Sequence, residues 1–433
     1  LIIFIYEKYM KTFSLFERRL AKYLSRFPRL KKHVKKIYQH FNYYIAKTEH
    51  KFITNYVIKD YGTLGCSSFF GYYDKSLFSD DGKKILALSV GCLNEPISDP
   101  IAADIGYFSI DNNLQFNKVG ETTTWCWQMG ARLMWHPFHS SGMILYNKMS
   151  GDNYGSIAYD LKKDKIINEY NFPIYDIDVK GDKVATLNFS RLGRLRPGYG
   201  YINIPDDNVN DPAPKNDGVW IIDVESNSRE LLISLKDLSK FVSKDSMVGA
   251  EHYVNHLSFS PSGKKLMFFH IWTHNRKRNV RALVVNVDGT ELQEVMEKSA
   301  SHYAWKNDSE LLLTGQGEDG FGYYLIDLNN SLSSTMLNSK LSFDGHPSFF
   351  IDQENIIFDS YPRGILRKQS LFLSDLNGHM KLIAEFIPPP SYLGETRCDL
   401  HPRLSPDEKK ICIDTPGKEG RYLTVFFIED LRK

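Results

Sequence analysis

The stretch "RCDLHPRLSPDEKKICID", residues 397–414, has the pattern of two short strands joined by a tight turn. Leu404 and the run 411–413 are apolar, and the segment 405–408 between them has the composition of a turn. A His-Pro pair stands just before the first strand. The same phrase recurs along the chain, and this repetition predicts the fold.

Six other segments repeat this phrase of a short strand, a polar turn with Gly, Asp or Asn, and an apolar strand. They begin at Tyr73, Trp135, Ile174, His256, Ser301 and His346. The starts are about 40 to 80 residues apart, which leaves room for a four-stranded blade with insertions. Since one four-stranded sheet cannot bury both of its faces, we predict an all-β fold, a seven-bladed β-propeller. Two packed β-sandwiches are the alternative, but they would not produce a single recurrent phrase.

Composition agrees with this expectation. Apolar residues make up 42% of the chain and aromatic residues 13%, yet no stretch approaches the roughly 18 apolar residues of a membrane helix. The cysteines are odd in number, widely spaced and without a CxxC pair, which indicates free thiols in a reducing compartment. They are Cys66, Cys92, Cys126, Cys398 and Cys412.

The N-terminal region differs from the rest of the chain. Residues 1–51 hold 13 Lys and Arg against 3 Glu, whereas the whole chain of 433 residues has a net charge of +2. Apolar residues recur here at helical spacing, with a break near Pro28. We therefore predict a short basic amphipathic helical extension over 1–55, followed by the propeller over 56–433.

Two roles for the extension stay open. It is either a helical hairpin packed on the outside of the ring or an anchor that places residues 1–50 on an anionic membrane surface. Nucleic acid is not an expected partner, because no basic patch continues into the ring. The opening "LIIFIY" is short and is followed by positive charges, unlike a signal peptide. The expected location is the cytoplasm, at the inner membrane surface if the extension is an anchor.

Histidines stand close to the start of the phrase in five of the seven repeats. Because propeller strands begin near the central channel, these side chains should gather at one mouth of the ring. A single such histidine is ordinarily structural, whereas several in one funnel favour binding of an acidic ligand or proton transfer to it. The residues concerned are His136, His252, His256, His302, His346 and His401.

The segment "LNFSRLGRLRPGYGY", residues 187–201, adds a cluster of arginines and tyrosines. Its glycines and proline predict a long irregular loop. A planar guanidinium can hold a carboxylate in a bidentate fork, and phosphate would fit as well. The cluster contains Arg191, Arg194, Arg196, Tyr199 and Tyr201.

Several longer motifs occur in one order between about residues 65 and 425. They are "SSFFGYYDKSLFS", "TWCWQMGARLMWHP", "LNFSRLGRLRPGYGY", "EHYVNHLSFSPSGKKLMFFHIW", "DGHPSF", "FDSYP" and "RCDLHPRLSPD". Together they resemble the large propeller group that includes ulvan lyases and, more remotely, oligogalacturonate lyase. This resemblance implies β-elimination on a uronate-containing polysaccharide, in which a cation neutralises the carboxylate and a His or Tyr takes the C5 proton.

The resemblance also assigns roles to residues. The family's neutralising arginine and the tyrosine sixteen residues before it resemble Arg191 and Tyr175. The family's upstream histidine pair has no counterpart, and Gln128 stands near the position of the second one. The expected catalytic residues are therefore Tyr175, Arg191, His252 and His256. The expected substrate-binding residues are Gln128, His136, Arg194, Arg196, Tyr199, His302, His346, His401 and Arg403.

The oligogalacturonate branch of this group binds its metal through a Q-x-x-H-x-H run. The matching segment here is "CDLHPR", which offers Cys398, His401 and Arg403 in place of the three ligands. Since only one ligand position is kept, we predict no manganese site of this kind and no cofactor. A metal at His252 and His256 is the open alternative.

Two function classes follow. The first is a polysaccharide lyase-like enzyme that acts on an acidic, uronate-containing polysaccharide or oligosaccharide. The second is a non-catalytic glycan-binding or scaffold propeller in the biosynthesis of a capsule or another surface polysaccharide. The convergent Arg, Tyr and His residues favour the first class, and the basic extension with a cytoplasmic location favours the second.

Overall fold

The computed structural model describes residues 19, 22–24, 27–45, 52–91, 94–111, 114–138, 142–330, 333–337 and 341–428. In these residues 29 strands form seven antiparallel sheets, six of four strands and one of five. The sheets are the blades of one propeller, and each of the seven repeated phrases lies in a different blade. The predicted seven-bladed β-propeller is confirmed.

The blades follow one another along the chain, and the first strand of each one borders the central channel. Blade 1 contains β3 (Ser67–Phe69), β4 (Lys84–Val90), β5 (Ala103–Ser109) and β6 (Phe116–Thr122). Blade 2 contains β7 (Met134–Trp135), β8 (Met143–Ser150), β9 (Asn153–Asp160) and β10 (Lys165–Tyr170). Blade 3 contains β11 (Asp176–Ile177), β12 (Lys183–Thr186), β13 (Gly218–Asp223) and β14 (Arg229–Ser234). Blade 4 contains β15 (Glu251–Phe259), β16 (Lys265–His274), β17 (Lys277–Asn286) and β18 (Gln293–Met296).

The remaining three blades complete the ring. Blade 5 contains β19 (Tyr303–Trp305), β20 (Glu310–Gly317), β21 (Gly320–Asp327) and β22 (Ser333–Met336). Blade 6 contains β23 (Ser348–Phe349), β24 (Asn355–Asp359), β25 (Gln369–Asp375) and β26 (Met380–Phe386), with β1 (Ile53–Thr54) on its outer edge. Blade 7 contains β27 (Arg403–Leu404), β28 (Lys410–Gly417) and β29 (Gly420–Phe427), and β2 (Val57–Tyr61) is its outer strand.

The segment 52–61 precedes blade 1 in the sequence, but its two strands belong to the sheets of the last two blades. Strand β1 pairs with β26 of blade 6, and β2 pairs with β29 of blade 7. The ring of Phe52 lies 4.8 Å from that of Phe386 and 5.3 Å from that of Phe426, measured between centroids. The N-terminal strands therefore close the ring. The division of the chain at residues 55 and 56 stays a prediction.

In blades 1, 4 and 7 the repeated phrase contains the same hydrogen-bonded turn. In each case a serine N–H donates to the carbonyl of the lysine five residues later, and the serine hydroxyl accepts from that lysine's N–H. These serines are Ser79, Ser260 and Ser405. The third residue after each serine has a left-handed backbone, with φ of 63° at Gly82, 74° at Gly263 and 54° at Glu408. The turn then leads into a second strand that is buried between neighbouring blades.

Among the described residues, the helices with assigned bounds are α1 (Pro28–Ile45), α2 (Phe189–Leu195) and α3 (Leu235–Lys240), and residues 19 and 22–24 are also helical. Two short 3₁₀ segments cover Asp245–Met247 and Gly394–Thr396. No helix among the described residues is long and apolar enough to cross a bilayer. The other parts of the predicted extension, at 1–18, 20–21, 25–26 and 46–51, lie outside the described residues, and so does "LIIFIY".

Helix α2 corrects the expectation of an irregular loop over 187–201. The side chain of Asn188 caps the helix by accepting a hydrogen bond from the N–H of Arg191. Gly193 permits a close approach of two backbones, because a Cβ atom there would lie 2.4 Å from the carbonyl oxygen of Tyr201. The irregular loop begins only after the helix ends at Leu195.

Candidate functional site

Four histidines from four consecutive blades meet at one mouth of the channel. The centroids of the His302 and His346 rings are 4.1 Å apart, and those of His346 and His401 are 4.3 Å apart. The ring of Tyr72 lies 4.7 Å from that of His256 and 5.1 Å from that of His401. We call this group, namely Tyr72, His256, His302, His346 and His401, the histidine mouth. All five side chains are buried.

The backbone is turned toward the channel at three equivalent places. Arg132, His256 and His401 have φ angles of 50°, 58° and 48°, a left-handed conformation that is uncommon for residues other than glycine. His256 lies at a register shift within β15, while Arg132 and His401 stand two residues before the starts of β7 and β27. Such backbone strain is frequent at functional sites, where the surrounding structure holds a side chain in a required direction.

His302 is oriented by a carboxylate. Its Nδ1 lies 2.7 Å from Oδ1 of Asp344, and Oδ2 of Asp344 accepts a hydrogen bond of 2.6 Å from the hydroxyl of Ser301. Burial alone would raise the pKa of Asp344, but His302 and Ser301 outweigh it and hold the pKa below its usual value. The ionised carboxylate accepts a hydrogen bond from Nδ1–H, so Nε2 is the ring nitrogen left for another partner. Nε2 faces the hydroxyl of Tyr361 at 3.3 Å.

Asp359 holds His346 and His401 in place. Its Oδ1 accepts from the backbone N–H of His346 at 2.8 Å and lies 2.7 Å from Nδ1 of the same residue. Its Oδ2 accepts from the backbone N–H of His401 at 3.0 Å. Burial raises the pKa of Asp359, and the neighbouring donors only partly offset this effect. Because Nδ1 of His346 is directed at Asp359, its Nε2 is free to face the channel.

Two histidines of the mouth and a neighbouring aspartate could hold a metal ion. One ligand atom each from His346, Asp399 and His401 lies within 4.8 Å of the others. Within the described part of the chain, Nε2 of both histidines and Oδ1 of Asp399 are buried and have no hydrogen-bond partner. Burial would raise the pKa of Asp399, but Arg397 and the two histidines outweigh it, so the pKa lies below its usual value. Two imidazoles and an ionised carboxylate form a donor set that suits a divalent metal.

The sequence predicted no manganese site of the Q-x-x-H-x-H kind, and this stays a prediction. That prediction relied on the spacing of the last blade, where Cys398 and Arg403 occupy two of the three ligand positions. The structure instead brings His401 together with Asp399 and with His346 from the neighbouring blade. Arg403 points elsewhere, because it donates to Oδ2 of Asp414 at 2.9 Å and to the carbonyl oxygen of Gly71.

Two arginines and a tyrosine line the rim of the mouth. The guanidinium carbons of Arg196 and Arg397 lie 4.6 Å and 5.5 Å from the ring centroid of Tyr199. Arg397 also donates to the Tyr199 hydroxyl and to Oδ2 of Asp399, the latter at 2.7 Å. The ring of Tyr199 lies 5.9 Å from that of His256. The rim therefore places two positive charges beside the buried histidines.

The predicted catalytic tyrosine is below the mouth. The hydroxyl of Tyr175 donates to Oδ1 of Asn255 and accepts from the N–H of His256, both at 2.9 Å. The guanidinium of Arg132 covers its ring at 4.3 Å. Burial raises the pKa of Tyr175 well above its usual value. These contacts make Tyr175 a support for His256, and a direct role in proton transfer stays a prediction.

Arg191 is buried away from the rim. Its guanidinium donates to the carbonyl oxygens of His252, Asn208, Asp211 and Pro212 at 2.7 to 3.1 Å, and to Asp206 at 3.5 Å. Arg194 on the same helix donates to Asp206 at 2.9 Å and to Glu251 at 2.7 Å. These bonds join α2 to the loop 206–212, and a role of Arg191 in neutralising a substrate carboxylate stays a prediction.

His252 belongs to a separate buried chain of side chains. Its Nδ1 lies 2.8 Å from Nε2 of His270, and its Nε2 lies 3.2 Å from the carbonyl oxygen of Met247. Arg281 donates to Nδ1 of His270 at 3.1 Å. Burial lowers the pKa of both histidines, which keeps them neutral. His252 and His256 thus have different surroundings, since His256 packs against Tyr72 of the histidine mouth. Nδ1 and Nε2 of His252 are both engaged in the contacts given above.

Two further predicted substrate-binding residues lie elsewhere. Nε2 of Gln128 donates to the carbonyl oxygens of Glu395 and Arg397 at 2.8 Å each, which fixes the loop that carries Arg397. His136 follows β7 instead of preceding it, and it packs against Gly181 in the turn between β11 and β12. It therefore lies at the opposite end of the channel from the other histidines.

That opposite end contains a cavity of about 380 Å³. Phe349 and Leu404, which line it, follow His346 and His401 along the innermost strands of their blades. The channel thus has two different ends. One is rich in histidine and arginine, and the other is mostly apolar.

Two aspartates of the mouth, absent from the predicted set, do carry a signal in the sequence. "DGHP" in blade 6 and "DLHP" in blade 7 share the pattern D-x-H-P. The first aspartate is Asp344, the partner of His302, and the second is Asp399. Tyr72, Tyr361 and Arg397 lie within the longer motifs of the sequence, but no repeat singled them out, because they come from loops whose direction depends on the assembled ring.

No family model matches the chain, and no curated protein matches it. Solved structures with the same fold include an oligogalacturonate lyase from Vibrio parahaemolyticus, with a TM-score of 0.58 and 11% identity over 89% of this chain and 100% of that one. An oligogalacturonate lyase in complex with manganese has a TM-score of 0.59 and 15% identity over 88% of this chain and 99% of that one. These likenesses establish the fold, and the resemblance to ulvan lyases stays a prediction.

Proposed function

We propose that this propeller binds an acidic, uronate-containing oligosaccharide at the histidine mouth and cleaves it by β-elimination. The observation that carries the proposal is a set of buried polar atoms around Tyr72 that have no partner among the described residues. These atoms are the Tyr72 hydroxyl, Nδ1 of His256, Nε2 of His346, Nε2 of His401 and Oδ1 of Asp399. An unsatisfied buried polar atom costs about 1–3 kcal/mol, so such a set favours a site that a ligand completes.

His302 is the general base of the proposed reaction. Its Nδ1–H bond to Asp344 fixes the tautomer and leaves the Nε2 lone pair available. Nε2 takes the C5 proton of the uronate, the C–H electron pair forms the C4–C5 double bond, and the bond from C4 to the glycosidic oxygen breaks. Burial raises the pKa of Tyr361 well above its usual value, so its hydroxyl stays protonated and can give its proton to the leaving oxygen.

The substrate carboxylate must be neutralised before the C5 proton can be removed. Arg196 and Arg397 offer two guanidiniums at the rim, and the pKa of Arg397 is raised well above its usual value because Asp399 and Tyr199 outweigh its burial. A guanidinium can hold a carboxylate through two parallel hydrogen bonds. The rim therefore orients the uronate so that C5 faces His302.

His346, Asp399 and His401 would hold a divalent cation, and the three unpartnered ligand atoms fit such an ion. Bound there, the ion would supply Lewis-acid stabilisation of the carboxylate as negative charge develops on it. One of the structures with the same fold is an oligogalacturonate lyase in complex with manganese, which makes Mn²⁺ the first ion to test.

Absorbance of the unsaturated product, measured on a panel of uronate oligosaccharides and polymers, tests the proposal. The wild-type protein should generate the signal on at least one substrate, and His302→Ala should lose it. His379→Ala is the matched control, because His379 also pairs with a carboxylate, that of Asp375 at 2.8 Å, but on the surface. A protein that binds a uronate polymer without producing the signal would have the alternative function, a glycan-binding propeller in surface-polysaccharide assembly.

A further inference from the structure

Helix α1 has an apolar face that the propeller does not cover. Leu30, Ile37, Phe41 and Tyr44 recur at helical spacing, and their exposed fractions are 52%, 71%, 62% and 73%. We call these four residues the apolar face of α1. Just before the helix, Phe27 is 52% exposed. A row of large exposed apolar side chains on one face indicates a surface that meets a partner.

The charge of the helix restricts what that partner can be. The sequence of α1 contains five Lys and Arg residues and no Asp or Glu. A second copy of the chain would bring two helices of the same positive charge together, which is unfavourable. The rest of the chain is acidic by comparison, since residues 1–51 carry 13 Lys and Arg against 3 Glu while the net charge of the whole chain is only +2. Nevertheless, the apolar face of α1 stays exposed.

We propose that α1 lies in the surface of an anionic lipid bilayer, with its apolar face among the acyl chains. An amphipathic helix with aromatic and aliphatic side chains on one face and lysines elsewhere has the composition of an interfacial helix. The lipid surface satisfies both observations, because it covers the apolar face and complements the positive charge. The membrane contact is independent of the proposed reaction, since α1 contributes no residue to the histidine mouth.

The experiment uses the full chain and two kinds of vesicle, one of phosphatidylcholine alone and one with about a quarter of phosphatidylglycerol. Flotation should recover the protein with the anionic vesicles at least about tenfold more than with the neutral ones, and high salt should weaken the association. Equal recovery with both vesicles, or with neither, would overturn the proposal.

Paired variants separate insertion from charge. Ile37→Glu with Phe41→Glu should lower the recovery about tenfold or more, because carboxylates would enter the acyl region. The control is Val248→Glu with Ile351→Glu, which changes the charge equally at two propeller residues that are each 73% exposed. The control should change the recovery less than about twofold, because its two added charges lie outside α1. An equal loss in both pairs would show that α1 does not insert.

Two further measurements compare the folding and the oligomeric state of the wild type and the α1 variant. Thermal unfolding of the Ile37→Glu, Phe41→Glu variant should match the wild type, because both residues are exposed. Sedimentation without lipid should give the same molar mass for both proteins. If the wild type forms a dimer that the variant lacks, the apolar face of α1 is a self-association surface, and the membrane proposal is wrong.

Discussion

Nδ1 of His302 lies 2.7 Å from Oδ1 of Asp344. The two residues come from the starts of adjacent blades, because His302 precedes β19 and Asp344 precedes β23. A carboxylate behind an imidazole fixes which ring nitrogen carries the proton and stabilises the imidazolium that forms when the other nitrogen accepts one. In the proposed reaction, His302 of this pair is the base and Asp344 is the positioning residue.

Replacing either member of this pair should lower the rate of elimination. His302→Gln should reduce kcat by about 10²–10⁴, the usual contribution of a general base. Asp344→Asn should reduce kcat without raising KM, because Asp344 positions the imidazole and does not touch the substrate. Steady-state kinetics distinguishes the two effects, and Asp375→Asn at the exposed pair with His379 provides the control. If Asp344→Asn raised only KM, its assigned role would be contradicted.

Asp359 should control metal affinity although it is not a proposed ligand. Its carboxylate holds Nδ1 of His346 and the backbone N–H of His401, so Asp359→Asn should weaken Mn²⁺ binding by about 10–100-fold. Titration of metal-free protein by calorimetry measures the change. Loss of binding in Asp399→Ala, with no change in the His379→Ala control, would locate the ion. Undiminished binding in Asp399→Ala would show that the ion binds elsewhere.

The rim arginines should affect substrate affinity. Arg196→Ala removes a guanidinium that stacks on Tyr199, and it should raise KM for a uronate oligosaccharide about tenfold, the usual value of one charged hydrogen bond. Arg194, two residues earlier, is already paired with Asp206 and Glu251, so Arg194→Ala should leave KM nearly unchanged. Equal effects of the two variants would mean that the rim does not recognise the carboxylate.

Arg191 should be required for stability more than for chemistry. Arg191→Leu removes the guanidinium that donates to four carbonyl groups of the loop 206–212 and β15. The carbonyls of Asn208 and Pro212 keep a backbone donor, from Asp211 and His252, but those of Asp211 and His252 lose this partner, so the free energy of unfolding should fall by about 2–3 kcal/mol. The Arg191→Leu variant, kept folded at low temperature, should retain most of the wild-type kcat. Chemical denaturation with parallel kinetics checks both statements. A folded but inactive variant would instead support the sequence-based assignment of Arg191 as the neutralising cation.

The buried pair of Asp74 and Arg132 should make the propeller sensitive to acid. Arg132 donates two hydrogen bonds to Asp74, at 2.9 and 3.1 Å. Burial alone would raise the pKa of Asp74, but Arg132 and Lys75 outweigh it and hold the pKa below its usual value. A lowered folded-state pKa contributes stability that is complete above the unfolded value and is lost as pH falls through the folded value.

Asp74→Asn should therefore unfold more readily than the wild type at neutral pH, by about 3–5 kcal/mol. This difference should shrink as the pH falls below about 4, the usual range of a carboxyl group, because the wild type loses the same interaction there. Denaturation at several pH values measures it. A difference that does not change with pH would show that the pair contributes through packing alone.

The repeated turn made the architecture predictable. The serine, the left-handed third residue and the lysine pair recur in "FSDDGKK" and "FSPSGKK", and local hydrogen bonds suffice to form the turn. The number of blades followed from counting such phrases. The predicted gathering of histidines rested on the same reasoning, because the residue before an innermost strand faces the channel.

The direction of individual side chains was not predictable. His136 follows its strand, whereas the expected position was before it. Arg191 is on a helix whose position depends on the loop 206–212. Spacing along the chain cannot show which face of such a helix turns inward. Asp399 became recognisable only when blades 6 and 7 were adjacent, since its partner His346 is 53 residues earlier in the sequence.

Mass spectrometry of the products from a short uronate oligosaccharide tests the central claim most directly. With Mn²⁺ present, the wild-type protein should release a fragment that is lighter by one water than the corresponding hydrolysis product, because β-elimination leaves a double bond in the new terminal sugar. The His302→Gln variant should leave the substrate intact. Unchanged substrate with the wild type on every uronate tested, or products with the full mass of hydrolysis, would contradict the assignment of the histidine mouth as a site of β-elimination.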